Sequence, residues 1–175
     1  MEKGRSCLGG RPALFHKENT RGVLTNILMI IFFPLSLNEI FQQGRNYPWP
    51  KPTVCPRCHG RRIWGHGFIS ACFDGYLVPL CLKRFRCPDC GCILRLRPEG
   101  YFKRFQAPIA VIRSCIVSKV KENKWLEGVS RSRQRHWLLA LMKKIRAHLT
   151  DAWHGIIKGF DFLLNAGEIP VIRSI

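Results

Sequence analysis

Residues 55–90 read CPRCHGRRIWGHGFISACFDGYLVPLCLKRFRCPDC, and two Cys-x-x-Cys turns bound the stretch. Cys55-Pro56-Arg57-Cys58 and Cys87-Pro88-Asp89-Cys90 stand with 28 residues between them. Each turn reverses the chain over two residues and brings two thiolates within reach of one ion. Four sulfurs close a tetrahedral Zn²⁺ site and leave no open position for a substrate water. Cys55, Cys58, Cys87 and Cys90 are therefore expected to hold one structural Zn²⁺. Gly91 follows the second turn, where a left-handed backbone is convenient. After the first turn the glycine, Gly60, comes one place late, behind His59.

The residues between the turns suit a small antiparallel sheet. Ile63-Trp64 and Phe68-Ile69 frame Gly65-His66-Gly67, which reads as a turn. Tyr76 to Arg86 runs extended, and Cys92 to Leu96 follows the second cysteine turn. Asp74-Gly75 is a hairpin signal, and Pro79 marks an unpaired edge or a bulge. The chain has nine cysteines, seven of them between residues 55 and 92. A secreted disulfide scaffold would spread and pair its cysteines, so this clustering points to a metal site in a reducing, cytoplasmic compartment. Cys72 and Cys81 are expected as small buried hydrophobes and Cys92 as a strand residue beside the site. A second site from His66, Cys72, Cys81 and Cys92 is the alternative.

The pattern CPRC…WGHG…KRFRCPDCGC, over roughly residues 53–98, resembles the zinc ribbon near the N-terminus of many bacterial transposases and their relatives. Lys83-Arg84-Phe85-Arg86-Cys87 matches the R-x-R-C lead-in of that family's second knuckle. Ribbons also occur in transcription factors and ribosomal proteins, so the fold by itself assigns no function.

Charge narrows the partner. The 175 residues carry 29 Lys and Arg against 11 Asp and Glu, a formal net charge of +18. The middle hundred residues, 51–150, hold 21 of the basic and 5 of the acidic groups. A merely soluble surface mixes the signs more evenly. Nucleic acid is the first expectation and an acidic membrane surface the second.

From residue 107 the periodicity turns helical. Ile109, Ile112, Ile116 and Val120 form one stripe, with Pro108 suited to the first turn. Lys121 to Glu127 reads as a short second helix, ended by Gly128. A third helix runs from about Arg131 to Leu149, capped by Ser130 or Ser132, with an apolar stripe of Leu138, Leu141, Met142, Ile145 and Leu149. The opposite arc holds Arg133, His136, Ala140, Lys143, Lys144 and Ala147. Such a basic face suits a major groove. Trp125 and Trp137 read as core anchors.

Leu126 to Leu138, LEGVSRSRQRHWL, is similar to the turn and recognition helix of transposase helix-turn-helix domains, where a G-V-S…W-L pattern is common. The resemblance implies DNA contact by Arg131, Arg133, Gln134 and Arg135 near the helix N-terminus. His136, Lys143 and Lys144 on the basic arc, and Lys83, Arg84 and Arg86 of the ribbon lead-in, are assigned to nucleic acid as well. The chain departs from the family at Lys124, where a small residue is usual, and at Gln134, where a β-branched core residue is usual.

The flanks say less. Val23 to Leu37 is apolar but falls short of the ~20 residues a spanning helix needs, and Pro34 interrupts it. It reads as an N-terminal lead-in, with a signal or anchor, or a start at Met29, as alternatives. Arg95 to Phe105 interleaves cations with Tyr101, Phe102 and Phe105, which suits either stacking on bases or docking onto the helices. Residues 151–175 read as one more amphipathic helix, for packing or self-association, and a short extended tail.

These readings divide the chain into an extension over 1–50, the ribbon over 51–100, a helical DNA-binding domain over 101–150, and a helix with tail over 151–175. The fold class is α+β, a small antiparallel zinc ribbon followed by a helix-turn-helix-type domain. No phosphate-cradling glycine loop, G-x-S-x-G or H-E-x-x-H is present, and the acids are few and scattered. No enzyme activity and no small-molecule substrate are expected. In transposases a large catalytic domain follows these parts. The expectation is thus the DNA-recognition portion without the catalytic core. The alternatives are a stand-alone transcription regulator, an RNA-binding ribbon protein, and a zinc-stapled protein-interaction module.

Overall fold

The structure is a computed structural model that describes residues 27–149 and 155–172. It is mixed α+β and divides into two compact units, Met1–Glu99 and Gly100–Ile175.

The first unit is built on a four-stranded sheet ordered β1-β4-β3-β2. The strands are β1 (Leu28–Phe33), β2 (Trp64–Ala71), β3 (Leu80–Arg86) and β4 (Ile93–Pro98). β2 pairs with β3, and β3 with β4, in antiparallel fashion. β1 lies parallel to β4, in register from Leu28↔Ile93 to Phe33↔Pro98. The expected purely antiparallel sheet is thus mixed. The apolar segment expected as a lead-in supplies an edge strand, so the boundary at residue 50 does not hold for its described part. The alternating residues Met29, Ile31 and Phe33 turn onto a core of Ile63, Phe85, Cys92, Leu94 and Leu96. Each such side chain taken from water contributes roughly 1.5–3 kcal/mol, which explains why an apolar run is recruited to the sheet edge. Residues 1–26, with Cys7 and the start of that segment, lie outside the described residues. Among the described residues no helix is long and apolar enough to cross a membrane.

After β1, Ser36 caps the short helix α1 (Leu37–Gln43), its Oγ accepting from the Glu39 amide at 3.3 Å. Gly44, at φ +58°, ends that helix, and Ile40 is its buried residue. Gly65-His66-Gly67 is not the expected turn. β2 runs through it, and the pairing with β3 shifts register between Gly65 and Phe68, a bulge with Gly67 at φ +72°. β3 begins only after Pro79, so the extended run from Tyr76 is shorter than expected.

The second unit packs α2 (Ile109–Glu122), α3 (Arg131–Leu149) and α4 (Ile156–Asn165) around one core. α2 contributes Ile112, Cys115 and Ile116, α3 contributes Trp137, Leu141 and Ile145, and α4 contributes Phe160 and Leu163. Leu138 and Leu149 pack against this cluster. The last helix therefore belongs to the same core as the other two. The expected start of that helix, Asp151, falls outside the described residues, as does the tail beyond Ile172. α3 and α4 approach closely, since a Cβ on Gly159 would sit 2.5 Å from Ile145 Cδ1. The expected helix over Lys121–Glu127 is absent. α2 ends at Glu122 with Asn123 left-handed at φ +55°, and a loop leads to Ser130. Trp125 consequently lies on a loop, with Lys119 Nζ 4.6 Å from its ring centroid, while Trp137 is the buried anchor expected. Phe102 is buried and Phe105 packs beside it, which assigns these aromatics to the core of this unit.

Candidate metal centre and charged surfaces

Both cysteine turns close with the same backbone bonds. In the first, the His59 amide donates to the Cys55 carbonyl and the Cys55 amide to the Gly60 carbonyl, each at 2.9 Å. In the second, the Gly91 amide donates to the Cys87 carbonyl at 3.0 Å and the Cys87 amide to the Cys92 carbonyl at 2.9 Å. The register is identical, so the left-handed position falls to His59 (φ +58°) in one and to Gly91 (φ +70°) in the other. Gly60, which is not left-handed, instead leaves room for a neighbour. A Cβ there would collide with the Asp89 carboxylate of the other turn.

The turns lie side by side. The Cys55 and Cys90 sulfurs are 3.7 Å apart, those of Cys58 and Cys87 are 3.5 Å apart, and all four lie within 4.8 Å of one another. A tetrahedron with Zn–S bonds of ~2.3 Å has edges of about 3.8 Å, so the four thiols are placed to bind one metal ion. Among the described residues this is the one group of three or more metal-ligating side chains so arranged. Cys72 is exposed on the β2–β3 connection rather than buried. Cys92 is buried, its thiol 3.3 Å from the Ile27 carbonyl, and burial with the neighbouring cysteines pushes its pKa up.

The sulfurs feel one another strongly. Burial opposes ionisation of Cys55, but hydrogen bonds from the backbone at Cys58 and Arg57 and from the Cys90 and Cys58 thiols outweigh it, bringing the group down to about 7. The Gly60 backbone favours the Cys58 thiolate, yet the Cys90, Cys87 and Cys55 sulfurs, with burial, push it up to about 12. Four thiolates at this separation require a cation to coexist. Two contacts that spacing did not reveal tie the turns together. Arg57 donates to the Cys90 carbonyl at 3.2 Å, and Arg62 pairs with Asp89.

The basic residues assigned to nucleic acid fall into three groups. On α3, Arg131, Arg135, His136 and Lys143 are exposed. The first three, with Ser132 and Leu139, line a shallow open depression. Arg133 is half-buried, its guanidinium 5.0 Å from the Trp137 ring centroid. On β3, Arg86 is exposed, while Lys83 and Arg84 are half-buried, Lys83 Nζ lying 4.3 Å from the Phe68 centroid.

Gln134 and Lys144 form the third group, and for them the expected surface position is corrected. Gln134 is buried at 2 % exposure. Its Oε1 accepts from the Leu126 amide at 3.0 Å, and its Nε2 donates to the Leu126 and Val129 carbonyls at 2.7 Å each. It satisfies the backbone of the loop that a β-branched residue would leave unpaired. Lys144, at 4 % exposure, donates to Glu168 Oε2 at 2.7 Å and to the Ile169 carbonyl at 3.0 Å. The apolar side of α3 is rotated toward this residue, so Ala140 is buried while Leu139 is exposed.

The fold and centre together define an α+β protein with a four-cysteine metal-binding arrangement in its first unit. No protein-family model matches the chain, and no curated protein or solved structure was found to match it.

Proposed function

We propose that the chain is a non-catalytic, zinc-containing protein that recognises a duplex DNA site, related to the DNA-recognition portion of transposases. Its first unit is a zinc ribbon holding one structural Zn²⁺ on Cys55, Cys58, Cys87 and Cys90. Its second unit works as a helix-turn-helix variant with α3 as the recognition helix.

One observation carries this reading. The first turns of α3 expose Arg131, Arg135 and His136 together, while Trp137, Leu141 and Ile145 of the same helix are buried. Gln134 holds the preceding loop against that helix, so the cations project from a braced segment. Long cationic side chains near a helix N-terminus reach phosphates and base edges when that end enters a major groove. The net charge of +18 supplies the sequence-independent part of the attraction.

The test is a salt titration of the zinc-loaded protein against duplex DNA from around its own gene, against random duplex and against RNA. Each phosphate neutralised contributes roughly −0.9 to the slope of log K against log salt. A steep slope with preference for the native duplex is the expected result. Equal affinity for every duplex would remove site recognition, and preference for RNA would favour the ribosomal or processing type of ribbon. Absence of binding at low salt would leave the interaction module.

A further inference from the structure

We propose that Arg84 and Arg95 form a binding site for one phosphate group on the sheet of the first unit. The proposal extends the nucleic-acid reading to this unit but holds without any contact from α3.

Arg84 on β3 stands directly opposite Arg95 on β4. Side chains so placed are the closest neighbours a sheet offers, and like charges there repel. Arg95 lies between Leu94 and Leu96, which belong to the core, so it and Arg84 project from the opposite face. Both are half-buried, and the Nε of each is buried without a hydrogen-bond partner. Among the described residues neither enters an ion pair, and Asp89, the carboxylate of the nearby cysteine turn, is taken by Arg62. Burial and the Arg84 charge both pull the Arg95 pKa down. Two cations are thus held together, partly out of water, with donors left over. Such an arrangement is relieved by an anion that accepts from both.

The chemistry of that anion follows from the donors. Guanidinium groups are planar forks that match oxyanions in pairs. β3 and β4 are the inner strands of the sheet, so their spacing is fixed by ladders on both sides. The β2 bulge faces Arg84, with the left-handed Gly67 (φ +72°) beside its guanidinium, where even a Cβ would stand 3.9 Å from Arg84 Nη2. Arg86, two residues along the same face, is exposed beside an exposed Trp64. A phosphate between Arg84 and Arg95 would thus have a further cation along the strand, as a phosphodiester chain requires. Free phosphate presents the same oxygens, and the test separates the two sources.

The zinc-loaded full chain is melted in chloride and in inorganic phosphate at equal ionic strength, and titrated with a short duplex over a range of salt. Wild type, Arg84→Met and Arg95→Met are compared, each first shown to hold one zinc per chain. The wild type is expected to melt higher in phosphate, and either variant to lose that increment. Each variant should also bind duplex about tenfold more weakly, with a log–log slope shallower by about 0.9. Loss of the phosphate increment with unchanged duplex binding keeps the site and assigns it to free phosphate. An unchanged phosphate response together with an unchanged duplex slope in both variants overturns it. Arg131→Ala with Arg135→Ala, which leaves this sheet intact, separates that failure from a failure of α3. Should one methionine variant not hold zinc, the other carries the comparison, since the residues lie on different strands.

Discussion

His59 and Gly91 occupy the same place in the two cysteine turns, each four residues past the first cysteine of its turn, with its amide bonded to that cysteine's carbonyl. Both are left-handed, but only glycine adopts φ near +60° without cost. His59→Gly should therefore stabilise the zinc-loaded first unit by about 1 kcal/mol, and Gly91→Ala should destabilise it by about as much. Urea midpoints in zinc-saturated buffer read both. Equal and opposite shifts are expected, and a destabilised His59→Gly would mean that the imidazole makes a contact worth more than the strain.

The metal prediction is larger. Binding of structural zinc in small domains is worth about 10–16 kcal/mol at neutral pH, comparable to or above the whole stability of a typical domain. Cys87→Ser should thus drop zinc below one per chain and unfold the first unit, and chelation of wild type should do the same. The second unit has its own core of Ile112, Trp137, Leu141 and Phe160 and should keep its helical signal. A Cys87→Ser protein with one tightly held zinc and an unchanged melt would sink the ligand set.

The cysteine spacing was legible because its chemistry is local to two four-residue turns. The sheet around it was less so. LMIIFF at Leu28–Phe33 is an apolar run whose partner, β4, lies some sixty residues on, and periodicity carries no information about a parallel pairing at that distance. Gly65-His66-Gly67 has turn composition, and only the register against β3 makes it a bulge. On α3 the helix bounds were readable, but the face was not. Gln134 and Lys144 are polar by type, and their burial depends on a loop backbone and on Glu168, neither of which helical periodicity can place inside.

Gln134 yields the next prediction. Replacing it with leucine keeps the volume but strips the Leu126 amide and the Leu126 and Val129 carbonyls of their partner. Unsatisfied buried groups cost roughly 1–3 kcal/mol each when water cannot reach them. A loss on the order of 3 kcal/mol is expected, read by urea unfolding of the helical signal. Gln134→Glu keeps the acceptor but loses the donor and should also be destabilising. A neutral Gln134→Leu would show that the loop finds water instead.

Acid stability of the second unit should depend on Arg113 and Asp161. Arg113 Nε and Nη2 donate to the two Asp161 oxygens at 2.7 Å each, and this holds the carboxyl below its usual range. A depressed carboxyl contributes fully above its unfolded value near 3.9. The contribution is lost as pH falls through the lower folded value. Both side chains are about two-fifths exposed, at 44 % and 39 %, so screening keeps the effect below ~1 kcal/mol. Glu168, held down by Lys144, acts in the same direction. Arg113→Met should therefore flatten part of the fall in stability below pH ~4, and an unchanged acid limb would show that the pair is fully screened.

Lys143 and Lys144 are neighbours in sequence with opposite expected behaviour. Lys143 is exposed, whereas Lys144 is buried and donates to Glu168 and the Ile169 carbonyl, tying the segment after α4 to α3. Lys144→Met leaves that carbonyl unpaired and should destabilise the second unit by roughly 1–3 kcal/mol, with no change in the salt slope of DNA binding while the protein stays folded. Lys143→Ala should leave the melt where it is and make the slope shallower by about 0.9 if that side chain neutralises one phosphate. A Lys144→Met protein that is fully stable but binds DNA with a reduced slope would assign this lysine to the proposed DNA surface instead.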